Sequence, residues 1–236
     1  MDDELQRILG VAQAGREFCA RFVGTHVHLV VGREVNELFL VPTILVYRAI
    51  RQHDAIQLLL RHGFVPEASV IGLTQFELCL EVLYVGGDLD RATKWMNHAS
   101  TRNTPWTVAD KINDVWRSDH KMRAAKHAYF EVLSAIKHGN PTAGPFGFPA
   151  RLTGDHFSTT SGAVDDEWSR THAILIAAAT TYHLVECLEG ASRSFARFVA
   201  LDCSYESKRA ELLSQWRDEA GRVAARVGLR KEESLH

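Results

Sequence analysis

The stretch from residue 63 to residue 86, GFVPEASVIGLTQFELCLEVLYVG, decides the fold of this chain. Pro66 stands where the first turn of a helix tolerates proline, because its missing N–H would have no intrahelical partner there. Apolar residues then occupy most of the helical circumference, which is typical of a helix in the protein interior. The pattern therefore predicts an interior helix over residues 66–84, with Gly63 as the left-handed cap that ends the helix before it.

Two carboxylates interrupt this apolar helix. Glu77 and Glu81 lie one turn apart on one face, and each needs a partner if that face is buried. We expect Glu77 to be largely buried and bonded to Arg48 or Arg51 on the preceding, antiparallel helix, since buried charges in helical bundles are usually paired. The alternative is a pair of carboxylates that faces a pocket and serves acid–base chemistry or metal binding.

Helical periodicity dominates the remaining sequence and predicts an all-α protein: a single helical bundle of about seven or eight helices in one domain, residues 1–236. Residues 26–29 alternate like a strand, but the spacing favours a helix from about Glu34. Thr107 and Asp110 resemble a helix N-terminal cap, and Gly190 is expected to continue or kink a long helix. The predicted helices cover about 2–23, 34–62, 66–84, 88–98, 107–117, 119–138, 165–189 and 204–227.

Residues 139–166 break the helical pattern. Three of the six prolines and five glycines fall in this segment, with Phe146, Phe148 and Phe157 between them. An unstructured connection of this length is uncommon inside a compact domain. We predict one long Pro/Gly-rich loop that its phenylalanines hold against the body of the protein.

Composition excludes several functional classes. The formal charge of −2 and the pI near 6.6 give no overall basic surface for nucleic acid. No secretory leader is expected, and the longest apolar run, residues 173–179, is too short for a membrane span. The four cysteines are scattered, which favours reduced thiols and a cytoplasmic location. Phosphate-loop, nucleophile-elbow and zinc-ligand motifs do not occur, so we expect no cofactor and no metal.

Two segments resemble an uncharacterised bacterial helical family, domain of unknown function 5677. The first runs from Gly63 through Glu67-Ala68 to Glu77; the second joins Tyr129-Phe130, Leu133-Ser134 and His138-Gly139. Together they lie within residues 41–140. The family's arginine four residues before the glutamate is replaced by leucine at position 73, so Glu77 must find another cation. The resemblance implies a helical fold and carries no established activity.

The sequence leaves two functions open. The first is a bacterial helical bundle that acts mainly through protein contacts, as a homodimer or with a partner, in a regulatory or defence role such as phage defence. The charged face of residues 117–138 (net +3) and His138 near the end of this helix are candidate binding features, although a solvated surface helix is the preferred explanation. His172 and His183, three turns apart on one helix face, are expected to be core or interface histidines rather than metal ligands.

The second function is a ribonuclease toxin similar to the HEPN superfamily, whose members cut RNA with an arginine followed by histidine after four to six residues. Nucleic acid would be a partner only in this case. Six such spacings occur, where chance predicts roughly three. Arg91 and His98, on a short helix after the core hairpin, are the best-placed candidates for catalysis.

Overall fold

The computed structural model describes residues 3–98, 105–138, 150–153, 156–159 and 167–226. These ranges contain nine α-helices and one two-stranded hairpin, and the helices share a common core, so the predicted all-α bundle is confirmed. In chain order the elements are α1 (Asp3–Leu29), α2 (Glu37–Arg61), α3 (Val65–Val85), α4 (Leu89–Asn97), α5 (Val108–Val115), α6 (His120–Lys137), β1 (Ala150–Thr153), β2 (His156–Thr159), α7 (Glu167–Glu186), α8 (Leu188–Phe195) and α9 (Cys203–Arg226).

The apolar helix α3 lies at the centre of the bundle, as predicted. It packs against α2, α4, α5, α6, α7 and α8. Among the described helices it alone has the length and composition to cross a membrane, yet 67% of its most apolar window is buried against the rest of the protein. That degree of burial is what a core helix shows.

The turn between α2 and α3 makes these two helices antiparallel. Gly63 has φ 77°, a left-handed conformation that glycine adopts without steric cost, so its predicted role as a cap is confirmed. Further along the pair, Gln75 Nε2 of α3 donates to the Ala49 carbonyl of α2 at 3.4 Å. This contact identifies the face of α3 that is turned toward α2.

Two predicted helix boundaries are wrong. The first helix continues to Leu29 because His26 is buried, bonds to the Phe22 carbonyl at 2.7 Å and stacks on Phe22 and Phe195. The long helix near the C-terminal end stops at Glu186 and restarts at Leu188, so Gly190 lies inside α8 and not at a kink.

The predicted long loop contains a β-hairpin. Residues 150–153 pair with residues 156–159 in antiparallel register, Ala150 opposite Thr159. The sequence carries the reason: short segments with β-branched and aromatic residues flank Gly154-Asp155, a dipeptide typical of two-residue hairpin turns. The rest of the predicted loop, and its attachment through the phenylalanines, lies outside the described residues.

A close crossing of α3 and α8 requires two glycines. A Cβ atom built on Gly86 would lie 2.3 Å from the Gly190 carbonyl oxygen, and one built on Gly190 would lie 2.2 Å from the Val82 carbonyl oxygen. Both neighbours are backbone atoms that a rotamer change cannot move. The absence of side chains at these two positions therefore sets how closely the helices approach.

We expect Gly86→Ala and Gly190→Ala each to lower the free energy of unfolding by roughly 3 kcal/mol, because the added methyl group overpacks the crossing. Gly10→Ala is the matched control: a Cβ there meets nothing within 4 Å, so alanine should stabilise α1 by about 0.5–1 kcal/mol. Urea unfolding measures all three. Equal effects of the three substitutions would contradict the close crossing.

Candidate functional site

An apolar cavity of about 730 Å³ lies between α3, α6, α7 and α9. This volume falls within the range of about 300–1,000 Å³ that is usual for small-molecule sites. Most of its lining is aliphatic or aromatic, with a few polar groups among them. The lining side chains come from Val65, Ser69, Met122, Tyr129, Val132, Leu133, Ile136, His172, Leu175, Ile176, Ala178, Ala179, Tyr182, His183, Trp216 and Arg217.

A buried polar cluster adjoins one side of this cavity. Lys126 Nζ of α6 donates to Glu186 Oε2 of α7 at 2.6 Å and lies 3.0 Å from Nδ1 of His183. Tyr182 donates its hydroxyl hydrogen to Glu186 Oε1 at 3.2 Å. The side chain of Lys126 is 3% exposed and that of Glu186 10%, so the pair depends on these contacts in place of water.

Lys126 and Glu186 form a close, buried ion pair. Burial alone would raise the pKa of Glu186, but the Lys126 ammonium outweighs burial and holds that pKa at about 2. Burial lowers the pKa of Lys126 below its ordinary value, and Glu186 offsets part of this effect. Lys126 also lies over the rings of Trp116 and Tyr182, at 4.7 and 4.8 Å from their centroids, a cation–π arrangement that favours the ammonium.

The cluster fixes the protonation of His183. Burial, followed by the charge on Lys126, lowers the pKa of His183 to about 4, so the imidazole is neutral at pH 7. Nδ1 lies 3.0 Å from Lys126 Nζ and 3.3 Å from Glu186 Oε2. Because an ammonium can only donate, we assign Nδ1 as the acceptor in the nearer contact and place the hydrogen on Nε2. Nε2 bonds to no residue in the described part of the chain, and His183 lines the cavity. The site thus presents an oriented N–H donor on His183. Trp216 Nε1 and the Tyr129 hydroxyl, of the same lining, are enclosed and have no partner among the described residues.

Aromatic rings hold this imidazole in place. Phe76 and Tyr129 pack on it with centroid distances of 4.9 and 4.8 Å. The Tyr129 hydroxyl is enclosed and has no hydrogen-bond partner among the described residues, and burial raises its pKa well above the ordinary value. The ring orientation of His183 is therefore set by packing as well as by Lys126.

The paired carboxylate of α3 is Glu81, and the prediction for Glu77 is wrong. Glu77 is half-buried and bonds to no described residue, while Arg48 and Arg51 are exposed. The reason is helical phase: Gln75 faces α2, and Glu77 follows two residues later, roughly 200° around the helix.

Glu81 is 8% exposed and is held by Lys111 of α5 and by Trp106, two residues before that helix. Lys111 donates to Glu81 Oε2, and the Trp106 indole donates to Oε1 at 2.6 Å. The predicted cap forms a complete capping box between Thr107 and Asp110, which starts α5 and directs Lys111 inward. These contacts indicate that Glu81 has a structural role, in which it joins α3 to α5.

The remaining predicted site residues do not meet at one place. Arg91 donates to the Tyr84 carbonyl at 3.0 Å and to Asp114 at 2.8 Å, and it also pairs with Asp88. His98 follows the end of α4 and its Nδ1 bonds to the Trp95 carbonyl. His138 is exposed at the end of α6. The ribonuclease hypothesis stays a prediction for Arg91 and His98.

Sequence reasoning missed Lys126 and Glu186 as a pair. The charged residues of this helix were assigned to a solvated face, but Lys126 lies on its inward-facing stripe. That stripe consists of Met122, Lys126, Tyr129, Leu133 and Ile136, whose spacing of four and three residues is that of a helix face. A lysine within such a stripe was the available signal. Lys111 gave no comparable signal, although it is buried beside Ile112, because α5 is too short to show a repeating apolar stripe.

Comparisons with known proteins identify no relative. No family model matches the chain, and no curated protein and no solved structure is significantly similar to it. The resemblance to domain of unknown function 5677 therefore stays a prediction. Within the described residues, no group of three or more His, Cys, Asp or Glu side chains could hold a metal ion.

Glu81→Ala should lower the free energy of unfolding by about 3–5 kcal/mol, because it leaves the Lys111 ammonium buried without its carboxylate. The matched variant Glu77→Ala, one turn earlier, should cost about 1 kcal/mol or less, since no described ion pair is lost. Chemical denaturation compares them. A larger loss of unfolding free energy for Glu77→Ala than for Glu81→Ala would contradict this structure and support the sequence-based prediction that Glu77 is the paired carboxylate.

Stability should fall as the pH drops from 7 to 5. Burial lowers the pKa of both His53 and His183 to about 4, whereas the unfolded chain has histidines near 6.5. The unfolded state therefore binds more protons in this window, and each histidine removes about 2 kcal/mol of stability by pH 5. In urea titrations His53→Gln and His183→Gln should each flatten the profile; a wild-type stability that is constant over this range would contradict both shifts.

Proposed function

We propose that this protein is a helical bundle that binds a small, largely apolar molecule in the cavity between α3, α6, α7 and α9 and has a regulatory role. The observation that carries the proposal is an apolar cavity of small-molecule size whose few polar lining groups include an oriented donor, the Nε2–H of His183. Such a combination is the usual form of a ligand site.

The composition of the lining supports binding in preference to catalysis. His183 carries its hydrogen on Nε2, so no basic nitrogen faces the cavity, and protonation of Nδ1 would place an imidazolium beside Lys126. Among the lining residues, Ser69 donates its hydroxyl hydrogen to the Val65 carbonyl of its own helix at 2.8 Å. Neither residue is arranged as a nucleophile with its base.

An exposed apolar face supports the second element of the proposal, a regulatory role, which we propose is exercised through contacts with another protein. Leu40, Ile44 and Tyr47 are 37%, 40% and 41% exposed and recur at helical spacing on α2. Side chains three and four residues apart share one face of a helix, so these three form a continuous apolar stripe. A stripe of this kind is a common feature of helix-mediated contacts.

The neutral fluorescent probe N-phenyl-1-naphthylamine should bind with one site per chain, and Leu175→Trp should weaken that binding at least tenfold because the larger side chain fills the cavity. Leu58→Trp is the matched control, since Leu58 is 56% exposed on α2 and does not line the cavity. Fluorescence titration gives the three dissociation constants.

A thermal melt of each variant establishes that it is folded before titration. If the probe fails to bind the wild-type protein, or binds Leu175→Trp and wild type equally well, the cavity is not a ligand site and the proposal is wrong.

A further inference from the structure

We infer that the cavity selects an uncharged molecule that carries a hydrogen-bond acceptor, such as a ketone carbonyl, on an apolar body, with the acceptor bound to Nε2 of His183. This inference rests on the proposed function, because it names the class of ligand for the same cavity. It makes His183 a specificity-determining residue.

The choice of an acceptor follows from the hydrogen-bond directions. Nδ1 of His183 accepts from Lys126, which leaves Nε2 as a donor that has no partner among the described residues. A ligand that places only apolar atoms beside this N–H would leave it desolvated without compensation. A ligand hydroxyl would serve only through its oxygen, whereas a carbonyl offers two lone pairs and adds no donor that needs a partner.

The choice of an uncharged group follows from the surrounding charges. An anion beside His183 would lie close to the Glu186 carboxylate, whose Oε2 is 3.3 Å from Nδ1. A cation would face both the Nε2–H and the Lys126 ammonium. Lys126 and Glu186 already neutralise each other, so this side of the cavity has no net charge for an ionic ligand to neutralise. Arg217, an exposed cation of the lining, would attract a carboxylate away from His183.

Three probes with one apolar skeleton test the inference: 2-acetylnaphthalene, its isostere 2-isopropenylnaphthalene, and 2-naphthoate. Each is titrated against the full chain in competition with bound N-phenyl-1-naphthylamine. The ketone should bind at least fivefold more tightly than the isopropenyl isostere, the only difference being oxygen in place of a methylene carbon. The naphthoate should bind more weakly than the ketone.

Variants at His183 assign the preference to its donor. His183→Phe should abolish the preference of ketone over isostere while the isostere keeps its affinity within about twofold. His183→Gln, whose amide can donate, should restore part of the preference and guards against a folding defect in the phenylalanine variant. His62→Phe, the same change at an exposed histidine that does not line the cavity, should leave the ketone preference in place.

The outcomes separate the two claims. If N-phenyl-1-naphthylamine and all three compounds fail to bind, the proposed ligand site itself is wrong. If the ketone and the isostere bind equally, if naphthoate binds most tightly, or if the preference survives in both His183 variants, the cavity binds ligands but the inferred acceptor class is wrong. A fivefold preference for the ketone over the isostere that is lost in His183→Phe alone supports both the ligand site and the acceptor class.

Discussion

The buried ion pair between Lys126 and Glu186 is the interaction on which the candidate site depends. It joins α6 to α7 beside the cavity, where neither charge has water to replace its partner. Pairs of this kind contribute little net stability compared with apolar residues of the same size, but removing one member costs several kcal/mol. Its effect here is to hold one imidazole in a single protonation state and orientation.

A second buried ion pair follows the same rule with a different consequence. Glu81 is paired with Lys111 and bonded by Trp106, and these contacts attach α5 to the central helix. Glu81 accepts from Lys111 through one carboxylate oxygen and from Trp106 through the other, so both of its oxygens have partners. Beside the cavity, in contrast, His183 retains a donor that no described residue uses. A polar atom that the surrounding structure orients but leaves unbonded is a stronger indication of a ligand than the presence of charge in the core.

The helices could be predicted well from the sequence because helix caps and apolar periodicity depend on residues that are close together in the chain. The left-handed Gly63, the capping box at Thr107 and the apolar circumference of residues 66–84 each depend on neighbours in sequence, and all three are found. The β-hairpin was missed because the glycines and prolines around it outweighed a short strand pattern.

The site could be predicted only in part, because it depends on which helix faces which. Glu77 and Glu81 share one face in sequence terms, but only the position of α5 decides which of them is paired. Lys126 was separated from Glu186 by 60 residues, so no local pattern could join them. The apolar stripe of α6 around Lys126 indicates that this lysine is buried, but it does not identify Glu186 as its partner.

The state of the His183 imidazole tests the account most directly, and nitrogen-15 NMR of the histidine ring atoms measures it. The structure predicts a neutral ring at pH 7 with hydrogen on Nε2, titration only near pH 4, and a shift of the Nε2 resonance when 2-acetylnaphthalene binds. A ring with hydrogen on Nδ1, or one that titrates near pH 6.5 as an exposed histidine does, would contradict it.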